Sequence, residues 1–251
     1  MNETDTLIID QEKEGYRFSI EPFLLADFVC LRRGMRLLDI GTGCGVIPLL
    51  LSVREPGLQI TAVEIQKPLY DRAMQNVAGN GLKRKIGVRH GDFLKLAQTL
   101  GSFDLIISNP PYRKINSGRL NSDKGKAIAR HELTLTLPAL IAKAAPLLER
   151  GGRMVLAYPP HRLDEVLSEL RLRRLYPWRL RLVHGYRGAA TRFFLVEAVK
   201  DQFAERVEKE PFYIYHPDGS YTRRMKKLYA SLNHPCRSHR LREERNRACA
   251  G

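Results

Sequence analysis

The sequence predicts an α/β fold: a doubly wound, mostly parallel seven-stranded sheet with one antiparallel strand near the edge. Three observations carry this. Strand-like and helix-like patterns alternate from near Arg36 onward, which builds a parallel sheet with helices on both faces. The last two strand-like runs are joined by only a few residues around Gly185–Gly188, too short for a parallel crossover, so one of them runs antiparallel. A chain of 251 residues, 43% of them hydrophobic, holds ample core for one large domain with a small appendage.

The elements follow in order. Residues 1–34 include "YRFSIEPFLLADFV", read as a helix or cap over the sheet. "MRLLDI" is a first strand ending in Asp39, and "VIPLLLSV" a helix. "LQITAVEI" is a strand carrying Glu64 at its end. "PLYDRAMQNVAGNGL" is an amphipathic helix with Leu69, Ala73 and Val77 on one stripe and Gly81 as its stop. "KIGVRHGDF" and "FDLIISNPPY" are strands. "ELTLTLPALIAKAAPLLERGG" reads as a helix closed by glycine, "RMVLAYP" as a strand and "RLDEVLSELRLRRL" as a helix. "WRLRLVHGY" and "TRFFLVEAVK" are the final strands. "PFYIYHPDGSYTRRMKKLYA" places a turn at Pro217-Asp218-Gly219 before a short helix. Residues 1–232 form the predicted domain. The polar, arginine-rich stretch 233–251 is expected to be a disordered tail.

Forty-two Lys and Arg against 27 Asp and Glu give a net charge of +15, a balance suited to a polyanionic partner. No apolar run approaches the roughly 20 residues that span a bilayer, and the acidic start "MNETDTLIID" lacks the apolar core of a signal peptide. Cys30, Cys44, Cys236 and Cys249 form no CxxC pair, which reads as reduced thiols in a cytoplasmic protein.

Asp39-Ile40-Gly41-Thr42-Gly43-Cys44-Gly45 joins the first strand to the first helix of the alternating region. Glycines at alternate positions let backbone pass close to a ligand. The spacing is GxGxG, not the GxGxxG of dinucleotide sites, so a pyrophosphate cradle does not fit. The acids point the same way. Asp39 is placed to face a ligand's ammonium, directly or through water. Glu64, with Ile65 beside it, is placed to accept from two ribose hydroxyls. Asp92 is placed to accept from an adenine amine, with Phe93 packing on its ring. A cationic adenine nucleoside, S-adenosylmethionine, fits an acidic pocket without phosphate contacts. Tight strand–helix packing alone also accounts for three glycines, but not for an acid at the end of each of the next two strands.

Ser108-Asn109-Pro110-Pro111-Tyr112-Arg113 closes the fourth strand. Asn-Pro is a common turn opener and the prolines stop the strand. The same residues also supply rigid hydrogen-bond acceptors with an aromatic ring beside them.

"LLDIGTGCG", "AVEI", "HGDF" and "DLIISNPPY" stand in this order over about residues 36–112. Together they resemble the class I S-adenosylmethionine-dependent methyltransferases, which are Rossmann-like. With "YRFSIEPFLLADF" and "PDGSYTRRMKKLY" added, about residues 16–230 are similar to the bacterial tRNA (adenine-N(6))-methyltransferase family, whose members modify valine tRNA beside the anticodon. The resemblance implies a cytoplasmic N-methyltransferase that acts on an exocyclic adenine amine in structured RNA, and it implies the strand order. It assigns catalysis to Asn109, Pro110, Pro111 and Tyr112. The side-chain carbonyl of Asn109 and the backbone carbonyl of Pro110 accept from the amine, and Tyr112 stacks on the flipped base. It assigns cofactor contacts to Asp39, Gly41, Thr42, Gly43, Gly45, Glu64, Ile65, Asp92 and Phe93, with Tyr16 and Phe18 closing over the methionine end. Two relatives share the "NPPY" motif. Release-factor glutamine methyltransferases carry a helical N-terminal domain, whereas only about 34 residues precede the first strand here. Guanine amino methyltransferases of ribosomal RNA more often have Phe in place of Tyr112.

Two basic stretches are candidates for RNA contact. Arg113, Lys114, Arg119, Lys124, Lys126 and Arg130 face only one acid, Asp123, and follow "NPPY" directly. From Arg171 to Arg192 there are seven arginines and no acid, interleaved with Tyr176, Trp178 and Tyr186; Arg179, Arg181 and Arg187 are the RNA-binding candidates within it. His131-Glu132 reads as a helix cap or a lining of the substrate loop. His234, Cys236 and His239 match no standard zinc spacing and lack a fourth ligand, so no metal is expected.

Overall fold

Neighbouring apolar residues within one strand serve two different cores. Leu37, Ile107 and Phe193 pack into one cluster, while Leu38, Ile106 and Phe194 pack into the other. Side chains alternate across a strand, so a sheet needs apolar residues at successive positions only when both faces are covered. A computed structural model shows the covers; it describes residues 7–10, 20–110, 135–203 and 205–233, without the side chains of 231–233.

The strands are β1 (Arg36–Ile40), β2 (Gln59–Glu64), β3 (Ile86–His90), β4 (Phe103–Ser108), β5 (Leu148–Tyr158), β6 (Leu175–His184), β7 (Thr191–Lys200), β8 (Val207–Glu208) and β9 (Phe212–Tyr213). Their order is β3-β2-β1-β4-β5-β7-β6-β8, with β9 also on β6. Strands β1 to β5 pair in parallel, and β7 is antiparallel to both β5 and β6. The seven predicted strands, the antiparallel one among them, are therefore present. The two-residue β8 and β9 extend the edge in parallel with β6.

Helices α1 (Glu21–Phe28), α2 (Val46–Arg54), α3 (Lys67–Gly79) and the C-terminal α7 (Arg223–Asn233) contribute to the first core. Helices α4 (Phe93–Leu96), α5 (Leu137–Ala144) and α6 (Leu163–Leu172) contribute to the second. Gly81 stops α3 as expected. Its φ is +68°, its N–H donates to Ala78 and that of Leu82 donates to Val77, closing the end of the helix on itself.

One boundary differs from expectation. The helix predicted to run to Gly151-Gly152 ends at Ala144, with a 3₁₀ turn to Leu147, and Leu148–Gly152 already belongs to β5. Phe103 pairs with Leu148 and Leu105 with Arg153, so β5 bulges between them, with Gly151 at φ +74°. The glycines serve a bulge, not a helix cap. Of the cysteines, Cys44 is a buried free thiol, but Cys30 is disulfide-bonded, contrary to the expectation of reduced thiols throughout. The basic tail beyond residue 233 lies outside the described residues.

Candidate functional site

The C-terminal ends of β1, β2, β3 and β4 lie along one edge of the sheet, where the loops of an open α/β fold hold ligands. Asp39 pairs in register with Ala62 and Ile107, and Ile40 with Val63 and Ser108. The chain then leaves β1 through the glycine loop. The N–H groups of Gly41 and Thr42 both donate to the Val63 carbonyl, at 2.9 and 3.1 Å. The Gly43 N–H donates to Glu64 Oε2 at 2.8 Å, and Glu64 Oε1 accepts from the Gln66 N–H at 2.9 Å. Gly41 and Gly43 have φ of +74° and +60°, and among the described residues a Cβ on either would meet nothing within 4 Å. Glycine is needed here for backbone conformation, and the space beside it is open.

Asp39 is fully buried, and neither carboxylate oxygen has a hydrogen-bond partner among the described residues. Burial pushes its carboxyl up to about 7, and the charge of Glu64 adds to the rise. The nearby Thr42 hydroxyl opposes it but stays outside hydrogen-bonding geometry, itself buried without a partner. Buried polar groups are nearly always satisfied. An unpartnered carboxylate and hydroxyl at an open glycine loop are suited to a polar ligand carrying positive charge.

At the next loop Asp92 caps α4, its Oδ1 accepting from the Leu94 N–H at 2.9 Å. The Gly91 N–H donates to the Glu64 carbonyl at 2.9 Å, so the ends of β2 and β3 are tied together. Phe93 is buried in the second core, and Ile65 is half-buried. Ser108 Oγ donates to the Ile40 carbonyl at 2.9 Å, which locks the end of β4 to the start of the glycine loop. Asn109, half-buried, and Pro110, buried, follow immediately. The structure thus brings Asn109 and Pro110 to the same edge as Asp39, Gly43 and Glu64. Tyr16, Phe18, Pro111, Tyr112, Arg113, Lys114, Arg119, Lys124, Lys126, Arg130, His131 and Glu132 lie outside the described residues, as do His234, Cys236 and His239.

The second basic stretch needs correction. Arg179 is buried. Its Nε donates to Glu197 Oε2 at 2.6 Å and its guanidinium to the Phe28 carbonyl at 2.7 Å. Arg153 completes the cluster, donating to Glu197 Oε1 at 2.8 Å and to the Cys30 carbonyl at 2.6 Å. Arg181 is mostly buried over the Phe28 ring, 3.7 Å from Asp27, and burial lowers its pKa to about 10. These side chains clamp α1 to the sheet, and the Arg179 guanidinium is committed to protein acceptors. Of the three candidates in this stretch, Arg187 alone, exposed at the β6–β7 hairpin tip, stands at the edge that carries Asn109, and Arg192 stands exposed beside it at the start of β7. Arg171, Arg173 and Arg174 precede β6 and so lie at the opposite edge.

Asn76 was not singled out in the sequence. Buried on α3, it donates to the Cys44 carbonyl at 2.9 Å and to the Asp10 carbonyl at 3.2 Å, and accepts from the Asp10 N–H at 2.9 Å. It thereby joins the N-terminal segment to the glycine loop. The signal available was a polar residue three positions after Ala73 on an apolar stripe.

Among the described residues no group of three or more His, Cys, Asp or Glu side chains is placed to hold a metal, and no helix is long and apolar enough to cross a membrane.

Comparison with known proteins agrees with this geometry. The family model described as the methyltransferase small domain matches residues 22–170. A protein of Porphyromonas gingivalis named tRNA1(Val) (adenine(37)-N6)-methyltransferase is 39% identical over 150 residues, covering 58% of this chain and 55% of the relative. The chain thus spans little more than half the length of that relative. A protein of the same name from Vibrio vulnificus is 34% identical over 172 residues, covering 68% of this chain and 70% of the relative. A solved structure, a predicted O-methyltransferase from Agrobacterium tumefaciens, superposes with a TM-score of 0.67 at 20% identity, covering 83% of this chain and 95% of that one; it shares the fold. On the glycine loop, the acidic strand ends and the matched span, the chain belongs to the methyltransferase small domain family.

Proposed function

We propose that this protein methylates the exocyclic amine of an adenine in tRNA, using S-adenosylmethionine. S-adenosylmethionine, when bound, supplies an electrophilic methyl group on a positively charged sulfur. The residues present fit it. Asp39 offers a buried carboxylate without a partner among the described residues to a cationic group. Gly41 and Gly43 leave open space for close approach. Glu64 already accepts two backbone N–H groups, and the remaining lone pairs of its carboxylate serve ribose hydroxyls. Asp92 keeps one oxygen beyond its helix cap for an adenine amine.

The observation that carries the reading is the position of Asn109-Pro110, locked to the glycine loop through Ser108 and Ile40. The lone pair of an adenine amine is delocalised into the ring. Acceptors for both N–H bonds favour a pyramidal nitrogen that directs the lone pair at an electrophile. The Asn109 side chain and the Pro110 carbonyl supply such acceptors, and proline holds them rigidly. Tyr112 then stacks on the base, and Tyr16 and Phe18 cover the cofactor. The relatives named for tRNA1(Val) adenine methylation support adenine in tRNA as the acceptor, and a tRNA acceptor implies a cytoplasmic location.

The test offers S-adenosylmethionine with a labelled methyl group separately to unmodified tRNA, ribosomal RNA, DNA and purified release factor, with digestion and mass spectrometry. Label in methyladenosine from tRNA is the expected result. Label in glutamine or guanosine overturns the acceptor and leaves the cofactor site standing.

A further inference from the structure

The β6–β7 hairpin tip and β9 form an exposed aromatic and basic shelf on the catalytic edge. Strand β6 runs parallel to β1–β5, because β7 is antiparallel to both β5 and β6. The register carries across the sheet: Ser108 pairs with Leu156, Leu156 with Val196, and Val196 with Leu180. His184 and the hairpin tip therefore stand beyond the end of the sheet on the side where Asn109 leaves β4. Strand β9 joins there, with Tyr213 opposite His184.

The side chains form a compact group. The His184 and Tyr213 rings lie 5.5 Å apart, tilted by 35°. The Arg187 guanidinium sits 5.8 Å from the Tyr213 ring centre. His184 Nδ1 lies 2.9 Å from the Ala189 carbonyl oxygen, which braces the tip. Tyr186 is 50% exposed, and Arg187 and Arg192 are exposed. Residues 185–192 and 212–216 contain no acid. An exposed Tyr186 and the half-buried His184 and Tyr213 rings, beside guanidinium groups in segments that carry no acid, suit unpaired bases and phosphates together. Three strand spacings separate β4 from β6, about 14 Å sideways, and His184 stands three residues further along the strands than Asn109, about 10 Å, so roughly 17 Å separates Asn109 from His184 and about 22 Å separates it from β9. A flipped base at Asn109 and its flanking nucleotides span that distance.

We propose that this shelf binds the RNA strand flanking the target adenine: Arg187 and Arg192 engage phosphates, and Tyr186 stacks on an unpaired base. The proposal rests on the reading of the acceptor as RNA.

The experiment measures anisotropy of a labelled, unmodified valine tRNA transcript with the full chain over a range of salt, alongside methyl transfer to the same RNA. The variants are Arg187→Gln with Arg192→Gln, Tyr186→Ala, and Arg171→Gln with Arg173→Gln as a control that removes equal charge from the opposite edge. Each variant is first checked for an unchanged melting temperature. The hairpin arginine pair is expected to lose about tenfold or more in affinity, and its salt slope is expected to flatten by about 1.4 to 1.8. Tyr186→Ala is expected to lose about fivefold or more with its salt slope kept, and the control to bind as the wild type does. Equal weakening by the hairpin and control pairs reduces the effect to net charge and overturns the shelf, as does unchanged binding by the hairpin variants while the wild type methylates tRNA. A wild type that binds no RNA overturns the acceptor reading and the shelf together. The same variants are also titrated with purified, labelled release factor; loss of that binding with tRNA binding kept overturns the proposal and assigns the surface to a protein partner.

Discussion

Glu64 Oε2 accepts the Gly43 N–H at 2.8 Å, so the acid at the end of β2 shapes the loop at the end of β1. Its other oxygen holds the Gln66 N–H at the start of α3. Two part-buried backbone donors thus depend on one side chain that is also a candidate ligand for the cofactor ribose. Glu64→Ala removes the acceptor of both donors, at a cost of about 1 kcal/mol each for part-buried bonds. The melting temperature is expected to fall, and S-adenosylmethionine affinity by calorimetry is expected to fall by at least about tenfold, since loop shape and ribose contact go together. Glu64→Gln keeps one acceptor and falls between. Wild-type affinity in Glu64→Ala would remove the acid from the site.

Asp39 makes stability and cofactor binding respond to pH in opposite directions. Burial raises its pKa from the ordinary 3.8 to about 7. Between those values the folded protein holds a proton that the unfolded chain has released. Stability without cofactor therefore falls as pH rises from about 4 to about 7 and is level above, with an amplitude on the order of 4 kcal/mol for this group alone. A cationic ligand needs the carboxylate, so affinity rises with pH and levels above about 7. Asp39→Asn is expected to remove this part of the slope in denaturant melts at pH 5 to 8, and to stabilise the protein without cofactor at pH 8. An unchanged slope would place the titrating group elsewhere.

Most of the fold was legible because burial on both faces and the acid-ended strands leave direct marks in the sequence. What escaped has identifiable causes. Gly151-Gly152 reads as a helix stop, but the bulge that uses them exists only in the pairing of β5 with Phe103 and Leu105. "WRLRL" reads as a strand with arginines on its outer face. The face in question is covered by α1, and the charges of Arg179 and Arg153 are balanced by Glu197, eighteen and forty-four positions away in sequence. No local pattern announces a partner at that distance. Asn76 escaped because its three backbone partners lie at Cys44 and Asp10. At the site, the residues supplied by strand ends were legible, since topology brings such ends together. Which arginines of a basic run reach the same edge was not, because that depends on strand direction and register.

The buried cluster leads to a stability prediction independent of function. Glu197 is fully buried between Arg153 and Arg179. Glu197→Ala leaves two buried guanidinium groups facing each other without their counter-charge, and removing one side of such an arrangement costs about 3–5 kcal/mol. Urea melts at neutral pH measure it. Arg179→Met is expected to be milder, because it deletes a charge and keeps apolar contact with Phe28 and Trp178. At temperatures where Arg179→Met remains folded, its tRNA affinity is expected to match the wild type. A weakened salt dependence would return Arg179 to the RNA surface.

Asn109 separates binding from chemistry. It follows Ser108, whose hydroxyl holds the Ile40 carbonyl, so its backbone is tied to the glycine loop through its neighbour. Asn109→Ala removes a proposed acceptor for the target amine while leaving Asp39, Gly43 and Glu64 untouched. Cofactor affinity is expected to remain within about twofold of the wild type, while kcat falls by about a hundredfold or more, the scale of losing one well-placed polar group from a transition state. Asn109→Asp keeps an acceptor at the same position and is expected to recover part of the turnover, which a purely structural role does not predict. Calorimetry with S-adenosylmethionine and single-turnover methyl transfer to tRNA measure the two quantities separately. Equal losses in both would mean that Asn109 supports the cofactor loop and does not act on the base.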